Sequence, residues 1–184
     1  MSELNVDAQD NPIQDADATQ AERIQRFWEA ARGKLGFGGA SSVIGHGWAE
    51  QMPPQAWAFG GEGDDELADE LLALVLDGTK TGTASLPFEY EDANEPLPKK
   101  GDLSIILDGA GEPRAIIRTT GAVVIPFDEV TAEFAHSEGE DDRTLESWRT
   151  GHEAFWRRDL PEGRVFSTDM PVVCETFELI WPKR

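Results

Sequence analysis

One stretch of the chain joins an amphipathic helix to a hydroxyl-rich turn, and it constrains the fold most. It spans residues 64–85 and reads DDELADELLALVLDGTKTGTAS. Leucine and valine recur at helical spacing in its first half, with acidic residues on the opposite face. Asp64 is the expected N-cap of this helix, and Gly78 is its expected end. The threonines and lysine that follow predict a hydroxyl-lined loop and a strand that begins near Thr83.

Length, charge and cysteine content narrow the class of protein. At 184 residues, one main domain is expected. A single cysteine, Cys174, excludes an internal disulfide framework and a cysteine-rich zinc site. No membrane-spanning run or secretory signal is visible, so we expect a cytoplasmic protein with no membrane partner. The formal net charge of −20 disfavours broad, sequence-blind binding of nucleic acid, which relies on basic residues that neutralise phosphates.

The composition divides the chain into three parts. Residues 1–18 carry acidic side chains and no basic ones, which predicts a disordered tail. Residues 19–47 hold a predicted helix, Thr19 to Arg32, whose start has the capping-box pattern of Thr19 and Glu22. A Gly/Ser loop at 36–47 follows this helix and is long enough to be functional or flexible. Residues 48–184 form the predicted main domain.

The main domain alternates strand and helix patterns. Strands are predicted at Gly101–Leu107, at Pro113–Ile125 with a bulge at Gly121, and at Val172–Trp181 as a central strand; helices are predicted at Phe127–Ala135 and Leu145–Trp156. Residues 88–100 have the composition of a loop. Short strands joined by tight turns indicate an α+β fold whose antiparallel or mixed sheet closes toward a small barrel.

Lys80 and Thr83 are the first candidates for chemistry. A lysine near a helix end is often only an exposed charge that favours the helix dipole. Alternatively, nearby hydroxyls and partial burial make Lys80 a base or an anion clamp, and Thr83 becomes an activated nucleophile. Residues 80 and 83 face opposite ways in a regular strand. The pair therefore requires that Lys80 lies in the turn before the strand.

Acidic and aromatic side chains supply further candidates. Glu138 lies in an acidic run that also contains Glu140, Asp141 and Asp142; such runs are usually solvated, and the spacing is not that of a calcium loop. Arg149 and His152 are neighbours on one predicted helix face, where a packed histidine is the commoner outcome. Trp57 and Phe59 either fill the core or stack on a flat ligand. No metal motif, P-loop or dinucleotide fingerprint is visible, so no cofactor or metal is expected.

Three segments together resemble the ASCH family, whose fold is similar to the PUA RNA-binding barrel. They are WAFGG with the helix and GTKTGTAS; GDLSIILD with RAIIRTTGAVVIPFDEVTAEFA; and SEGEDDRTLESWRTGHEAFW. The resemblance covers residues 48–181, and the N-terminal helix is similar to the extension of longer bacterial members. It implies a small β-barrel with flanking helices, and a cleft lined by the Gly-Thr-Lys loop that binds RNA or nucleosides.

One branch of this family is similar to an amidohydrolase that removes the acetyl group of 4-acetylcytidine with a Lys-x-x-Thr pair and a glutamate. Lys80 and Thr83 match the pair, and lining up TAEFAHSE places the glutamate on Glu138. The resemblance then implies that Lys80 takes the proton of Thr83, that Thr83 or an activated water attacks the acyl carbon, and that Glu138 protonates the leaving amine. A backbone N–H of the loop at 79–83 would hold the oxyanion.

The resemblance also implies a set of substrate contacts. Trp57 or Phe59 would stack on the base, with Thr81 and Ser85 beside it. The helix at Leu145–Trp156, which the amidohydrolase branch lacks, would add His152 and Arg149 to the wall. Arg149 would suit a phosphate, which favours a nucleotide or an RNA end over a free nucleoside. The expected partner is thus a nucleoside, a nucleotide or single-stranded RNA. Two alternatives stay open. One is a non-catalytic RNA-binding module with a basic strip of Lys99, Lys100, Arg114 and Arg118; the other is a ribonuclease, an activity associated with longer members of the family.

Overall fold

The structure is a computed structural model that describes residues 18–35, 52–60 and 63–183. The predicted acidic tail, apart from Ala18, and the predicted Gly/Ser loop at 36–47 lie outside the described residues. In the described part of the chain, no helix is both long and apolar enough to cross a membrane.

Five strands in the described residues form one mixed sheet with the order β1-β3-β4-β5-β2. They are β1 (Gln55–Trp57), β2 (Gly82–Ser85), β3 (Leu103–Leu107), β4 (Pro113–Pro126) and β5 (Pro171–Trp181). β1 is parallel to β3, and the other neighbours are antiparallel. The prediction of an α+β fold with a central final strand is confirmed, because β5 lies between β4 and β2.

β4 is the longest strand and connects the two halves of the sheet. It pairs with β3 through its first half and with β5 along most of its length. The register against β5 shifts between Thr119 and Gly121, which confirms the predicted bulge. A bulge increases the local twist of a strand, and here it lets one long strand serve both neighbours.

The sheet formed by the described strands is open, whereas the sequence predicted one that closes toward a barrel. Closure would need hydrogen bonds between the two edge strands, β1 and β2, and these strands do not pair. β1 contains only three residues. Residues of both edge strands line one cavity, among them Trp57 of β1 and Ser85 of β2.

Five α-helices and a short 3₁₀ helix accompany the described strands. The α-helices are α1 (Gln20–Leu35), α2 (Asp65–Asp77), α3 (Pro87–Ala93), α4 (Ala132–Glu138) and α5 (Leu145–Asp159), and the 3₁₀ turn is Phe127–Glu129. The capping box of α1 is confirmed, since the Thr19 amide donates to Glu22 at 2.8 Å and the Glu22 amide donates to Thr19 Oγ1 at 3.3 Å. The predicted ends of α2 are confirmed too: Asp64 accepts from the Leu67 amide, and Gly78 has a left-handed φ of 78°.

Two helix predictions need correction. The single helix predicted at Phe127–Ala135 is split into the 3₁₀ turn and α4, because the Thr131 side chain caps a new helix by accepting from the Phe134 amide. α4 extends to Glu138, beyond the predicted helix end at Ala135 and into the acidic run. The segment expected to be a loop contains α3, which begins at Pro87 and is supported by a hydrogen bond from the Leu86 amide to Glu89.

Both faces of the sheet are covered by helices. α1 packs Trp28 and Ala31 against Ile105 and Ile116, while α2 packs on the opposite face, on the cluster that contains Ile106 and Ile117. Adjacent strand residues point to opposite faces, which explains why consecutive isoleucines belong to different clusters. α5 and the 3₁₀ turn form a third cluster, rich in aromatic residues, at one end of the sheet.

Candidate functional site

Lys80 lies in a tight turn between α2 and β2. The amides of Thr79 and Lys80 both donate to the carbonyl oxygen of Leu74, at 2.9 and 3.0 Å, so the turn folds back on the end of α2. Strand β2 begins only at Gly82. The condition that Lys80 precede the strand is therefore met, and its side chain is 1% exposed.

This turn is pressed against the C-terminal end of α4. The Thr81 amide donates to the Ser137 carbonyl oxygen at 2.7 Å. Gly139, with a φ of 76°, ends α4, and a Cβ at this position would lie 2.7 Å from the carbonyl oxygen of Thr79. Only glycine fits such a close approach in the left-handed region. The two segments, which are distant in sequence, thus meet backbone to backbone.

The contact between the Lys80 turn and the end of α4 places two carboxylates next to the Lys80 ammonium. Its Nζ is 3.0 Å from Glu138 Oε2 and 2.5 Å from Glu140 Oε1. Glu138 is as deeply buried as the lysine, with 1% exposure, whereas the Glu140 side chain keeps 30%. The ammonium also lies 5.3 Å from the centre of the Phe59 ring, whose face attracts a cation.

The second oxygen of Glu138 is held by two residues of α5. Trp148 Nε1 donates to Oε1 at 2.8 Å, and His152 Nε2 lies 3.5 Å from the same oxygen. The His152 ring stacks on Trp148 with 4.2 Å between ring centres, and its Nδ1 donates to the Trp148 carbonyl oxygen at 3.0 Å. Both carboxylate oxygens of Glu138 are therefore occupied, and its orientation is fixed.

Opposite effects set the pKa values of the buried pair. Burial alone would lower the pKa of Lys80, but the charges of Glu138 and Glu140 outweigh burial and hold that pKa above its ordinary value. Burial would raise the pKa of Glu138, but Lys80, His152 and the Trp148 hydrogen bond hold it below its ordinary value. At neutral pH the buried pair is thus an ammonium and an ionised carboxylate.

A cavity of about 310 Å³ opens above this charged group. We call it the Lys80 cavity. Its polar wall includes Lys80, Thr83, Glu138, Glu140 and His152, and its apolar wall includes Phe59, Trp148, Phe155 and Trp156. The combination of one aromatic side and one ionised side suits a small planar ligand with a polar reactive group.

The structure brings together most of the side chains that the sequence singled out. Lys80, Thr83, Glu138, Phe59 and His152 all line the Lys80 cavity. Trp57 and Ser85 line a second cavity beside it, where the Ser85 and Tyr90 hydroxyls are 2.9 Å apart.

Two of the singled-out residues line neither cavity. The Thr81 hydroxyl donates to the Ser137 carbonyl oxygen, and Arg149 donates to the Asp128 carbonyl oxygen at 2.7 Å. The loop amides of residues 79–81 are likewise occupied by Leu74 and Ser137, so they are not free to hold an oxyanion.

Two residues of the site have no role predicted from the sequence. Glu140 belongs to the acidic run that is expected to be solvated, and Trp148 lies within the predicted helix Leu145–Trp156. A signal for Glu140 existed in its position two residues after Glu138, across the glycine that ends α4. The indole of Trp148 gave no such signal, because its hydrogen bond depends on how α5 packs on α4.

The remaining acidic and basic candidates do not form separate sites in the described chain. Its His, Cys, Asp and Glu side chains include no group of three or more with metal-binding geometry. Arg114 is paired with Asp108 at 2.6 Å and Arg118 with Glu178 at 2.6 Å, so two members of the expected basic strip are neutralised.

Fold and site together define an α+β protein with a buried lysine–glutamate centre at the edge of an open sheet. Residues 55–181 match the family model of the ASCH domain, and the chain belongs to this family. ASCH domains are generally RNA-associated.

Two solved structures are similar to this chain. A protein of Enterococcus faecalis V583 is 34% identical, with 86% of this chain and 88% of that chain covered and a TM-score of 0.71. An ASCH domain of Lactobacillus crispatus JV V101 is 30% identical, with 86% and 94% covered and a TM-score of 0.71. No functionally curated protein matches the chain.

Proposed function

We propose that the Lys80 cavity is the active site of a hydrolase that cleaves the amide bond of acylated, cytidine-like nucleosides. The observation that carries this proposal is the buried Lys80 ammonium, held between Glu138 and Glu140 in the wall of a cavity that Thr83 also lines. The proposal keeps Lys80, Thr83 and Glu138 as its centre and adds Glu140 as the proton carrier.

The energetics of the ion pair support a functional role. Removing two charges from water costs several kcal/mol per ion, and apolar residues of similar size usually stabilise a fold as well or better. The Lys80–Glu138 pair is nevertheless almost fully buried and faces a cavity rather than a packed core. Strongly perturbed titratable groups in a cleft are typical of active sites.

The pKa directions alter the proton roles that the sequence suggested. Lys80 holds its proton at neutral pH, so it becomes a base only after passing that proton on. Glu138 has both oxygens occupied and is held in its ionised form, which makes it a positioning residue for the ammonium. Glu140 is closer to Lys80, partly exposed, and a member of the cavity wall, so it is the better proton acceptor.

In the proposed reaction, Lys80 passes a proton to Glu140, and the resulting amine accepts the proton of the Thr83 hydroxyl. The Thr83 oxygen then forms a bond to the acyl carbon, and the carbonyl oxygen becomes an oxyanion stabilised by the restored ammonium. The C–N bond breaks as Glu140 returns the proton to the leaving amine. Water hydrolyses the acyl ester, which releases a carboxylic acid and regenerates Thr83.

The aromatic wall suits the leaving group of this reaction. Phe59, Phe155 and Trp156 present apolar surface to the cavity, and a planar base can stack on such surface. The Phe59 ring is itself fixed by Trp57, with 4.8 Å between ring centres and planes at 78°. A rigid aromatic wall would hold the acylated amine of the base near Lys80.

Hydrolysis of a panel of acylated cytidines, followed by the absorbance of the base, tests this function. We expect turnover by the wild type and its loss in Lys80→Met and Thr83→Val. Thr120→Val is the matched control, because Thr120 is an exposed strand threonine outside both cavities. Absence of turnover in the wild type would contradict the proposal. Full activity of Thr83→Val would also contradict it, because this variant lacks the proposed nucleophilic hydroxyl.

RNA binding without catalysis is a second candidate because the family is RNA-associated. Of the expected basic strip, Lys99 and Lys100 are exposed, while the two arginines are paired with carboxylates. A gel shift with single-stranded RNA at physiological salt tests it, and we expect no shift. Ribonuclease activity is tested by RNA cleavage; cleavage equal in wild type and Lys80→Met would indicate a contaminant.

A further inference from the structure

A second cavity, of about 590 Å³, adjoins the Lys80 cavity. We call it the Glu175 cavity. The two cavities share wall residues that include Phe59, Thr83 and Phe155. A ligand whose reactive group lies at Thr83 therefore has room to extend from one cavity into the other.

Glu175 of β5 is a buried acid in the wall of this second cavity. It is 5% exposed, and it lies directly opposite Thr83 in the pairing of β5 with β2. Its Oε1 accepts from the Thr119 hydroxyl at 2.6 Å. Among the described residues no hydrogen-bond donor reaches its second oxygen, Oε2, and this oxygen keeps some exposure in a residue that lines the cavity. A donor from a ligand would supply a partner for it.

The acidic residues around this cavity disfavour an anionic ligand. Its wall contains the carboxylates of Glu89, Glu95, Asp102 and Glu175, and no lysine, arginine or histidine of the described chain lines it. Arg149, which the sequence suggested for a phosphate, bonds to the Asp128 carbonyl oxygen and lines neither cavity. A phosphate placed here would face like charge without a compensating cation.

The same wall is rich in groups that bind hydroxyls. Besides the free oxygen of Glu175 it offers the hydroxyls of Ser85 and Tyr90, with the Trp57 ring beside them. A carboxylate accepts hydrogen bonds from the hydroxyl groups of a sugar, and protein hydroxyls can both donate to them and accept from them. An aromatic ring can pack against the apolar face of the same sugar.

We propose that the Glu175 cavity is a subsite for the hydroxyls of an unphosphorylated sugar, so that the substrate is a free nucleoside rather than a nucleotide or an RNA end. This inference rests on the proposed function for the identity of the reacting group. Glu175 is its specificity-determining residue and takes no part in bond cleavage.

Comparing 4-acetylcytidine with its 5′-monophosphate as substrates of the wild type tests the inference directly. We expect kcat/KM to be about 100-fold lower for the monophosphate, because like charges oppose its binding. Glu175→Gln should raise KM for the nucleoside about 10-fold, the loss of one charge-assisted hydrogen bond, and leave kcat unchanged. The matched control is Glu178→Gln, an exposed position on the same strand.

Equal or faster hydrolysis of the monophosphate would overturn the subsite while leaving the hydrolase intact. So would a Glu175→Gln variant with unchanged KM. If neither compound is hydrolysed, the proposed function fails, and calorimetric titration with cytidine and cytidine 5′-monophosphate then tests the subsite alone. Preferential binding of cytidine, weakened in Glu175→Gln, would support it. Equal binding, preference for the monophosphate, or binding of neither would overturn it.

Discussion

Glu138 and Glu175 are both buried glutamates on the walls of adjoining cavities, yet their pKa values shift in opposite directions. Glu138 has Lys80, His152 and the Trp148 indole around it, and its pKa is lowered despite full burial. Glu175 has one hydrogen bond, from Thr119, and burial raises its pKa, with a further contribution from Asp102. Burial raises the pKa of a carboxyl group unless surrounding cations and hydrogen-bond donors outweigh it, as they do at Glu138 but not at Glu175.

This difference separates the roles of the two cavities. The Lys80 cavity contains a compensated set of charges, in which a proton can move between Lys80 and Glu140 over a short distance. The Glu175 cavity contains uncompensated acidic groups, which favour donors and oppose anions. Under the proposed function, the first cavity carries out the chemistry and the second selects the substrate.

Of the substitutions considered, replacing Lys80 should lower the free energy of unfolding most. Lys80→Met leaves Glu138 buried without its counter-charge, and breaking a buried pair in this way costs about 3–5 kcal/mol of the free energy of unfolding. Urea unfolding of wild type and variant measures the loss. Lys99→Met, at an exposed lysine, should cost little by comparison. A loss below about 1 kcal/mol for Lys80→Met would mean that the pair is far more hydrated than its burial indicates.

A methyl group at Gly139 should separate the Lys80 turn from α4. Gly139→Ala adds a left-handed alanine, at about 1–2 kcal/mol, and its Cβ would also lie 2.7 Å from the Thr79 carbonyl oxygen. Gly163→Ala has a similar φ of 88° with no atom within 4 Å of the added Cβ, so it isolates the backbone cost. We expect Gly139→Ala to exceed it by about 1–3 kcal/mol in urea unfolding. Equal losses would show that the contact relaxes easily.

Replacing Trp148 by phenylalanine should lower the free energy of unfolding, because it removes one of the groups that stabilise the ionised form of Glu138. Trp148→Phe keeps an aromatic ring but removes the donor to Glu138 Oε1, and losing a hydrogen bond to a charged group costs about 1.5–3 kcal/mol. Trp156→Phe, in the same aromatic cluster, controls for the smaller ring. Thermal or urea unfolding measures both. If Trp156→Phe is equally destabilising, packing rather than the hydrogen bond accounts for the effect.

The smallest expected effect is the opposite pH dependence of the two acids. The folded-state pKa of Glu138 is lowered, so its stabilising contribution is present above its ordinary value of 4.5 and is lost as pH falls through the folded pKa. The folded-state pKa of Glu175 is raised, so its contribution is present below 4.5 and is lost as pH rises through the folded pKa.

Unfolding free energies of wild type, Glu138→Gln and Glu175→Gln across the acidic range test these signs. Relative to wild type, Glu175→Gln should gain stability as pH rises above 4.5. Glu138→Gln should recover relative to wild type as pH falls below 4.5. Parallel pH profiles for the two variants would contradict the assignment of opposite shifts.

Features that depend on nearby residues were predictable from the sequence. The caps at Thr19 and Asp64, the stop at Gly78 and the bulge at Gly121 each follow from local side-chain or backbone chemistry. The short helix α3 was missed because prolines and acidic residues give its segment the composition of a loop. The parallel edge strand β1 was missed because three residues carry no periodic signal.

The site was predictable only in part, because some of its residues come together through contacts between segments that are distant in the sequence. Lys80 and Thr83 are three residues apart, so one turn places them together, and the turn could be read directly. Glu138 was found through the resemblance to a family, since nothing local distinguishes it from other acidic residues. Glu140 and Trp148 join the site because α4, α5 and the Lys80 turn pack together, and that packing has no short-range signature.

The order of the elements along the chain also governs how the site comes into being during synthesis. In the described sheet β2 pairs only with β5, the last strand, and Lys80 meets Glu138 across 58 residues. A nascent chain that has exposed only the Lys80 turn has no strand and no carboxylate to place beside it. During synthesis, β2 therefore has no described strand partner until β5 has been made, and the surroundings of Lys80 are completed only when most of the chain is available.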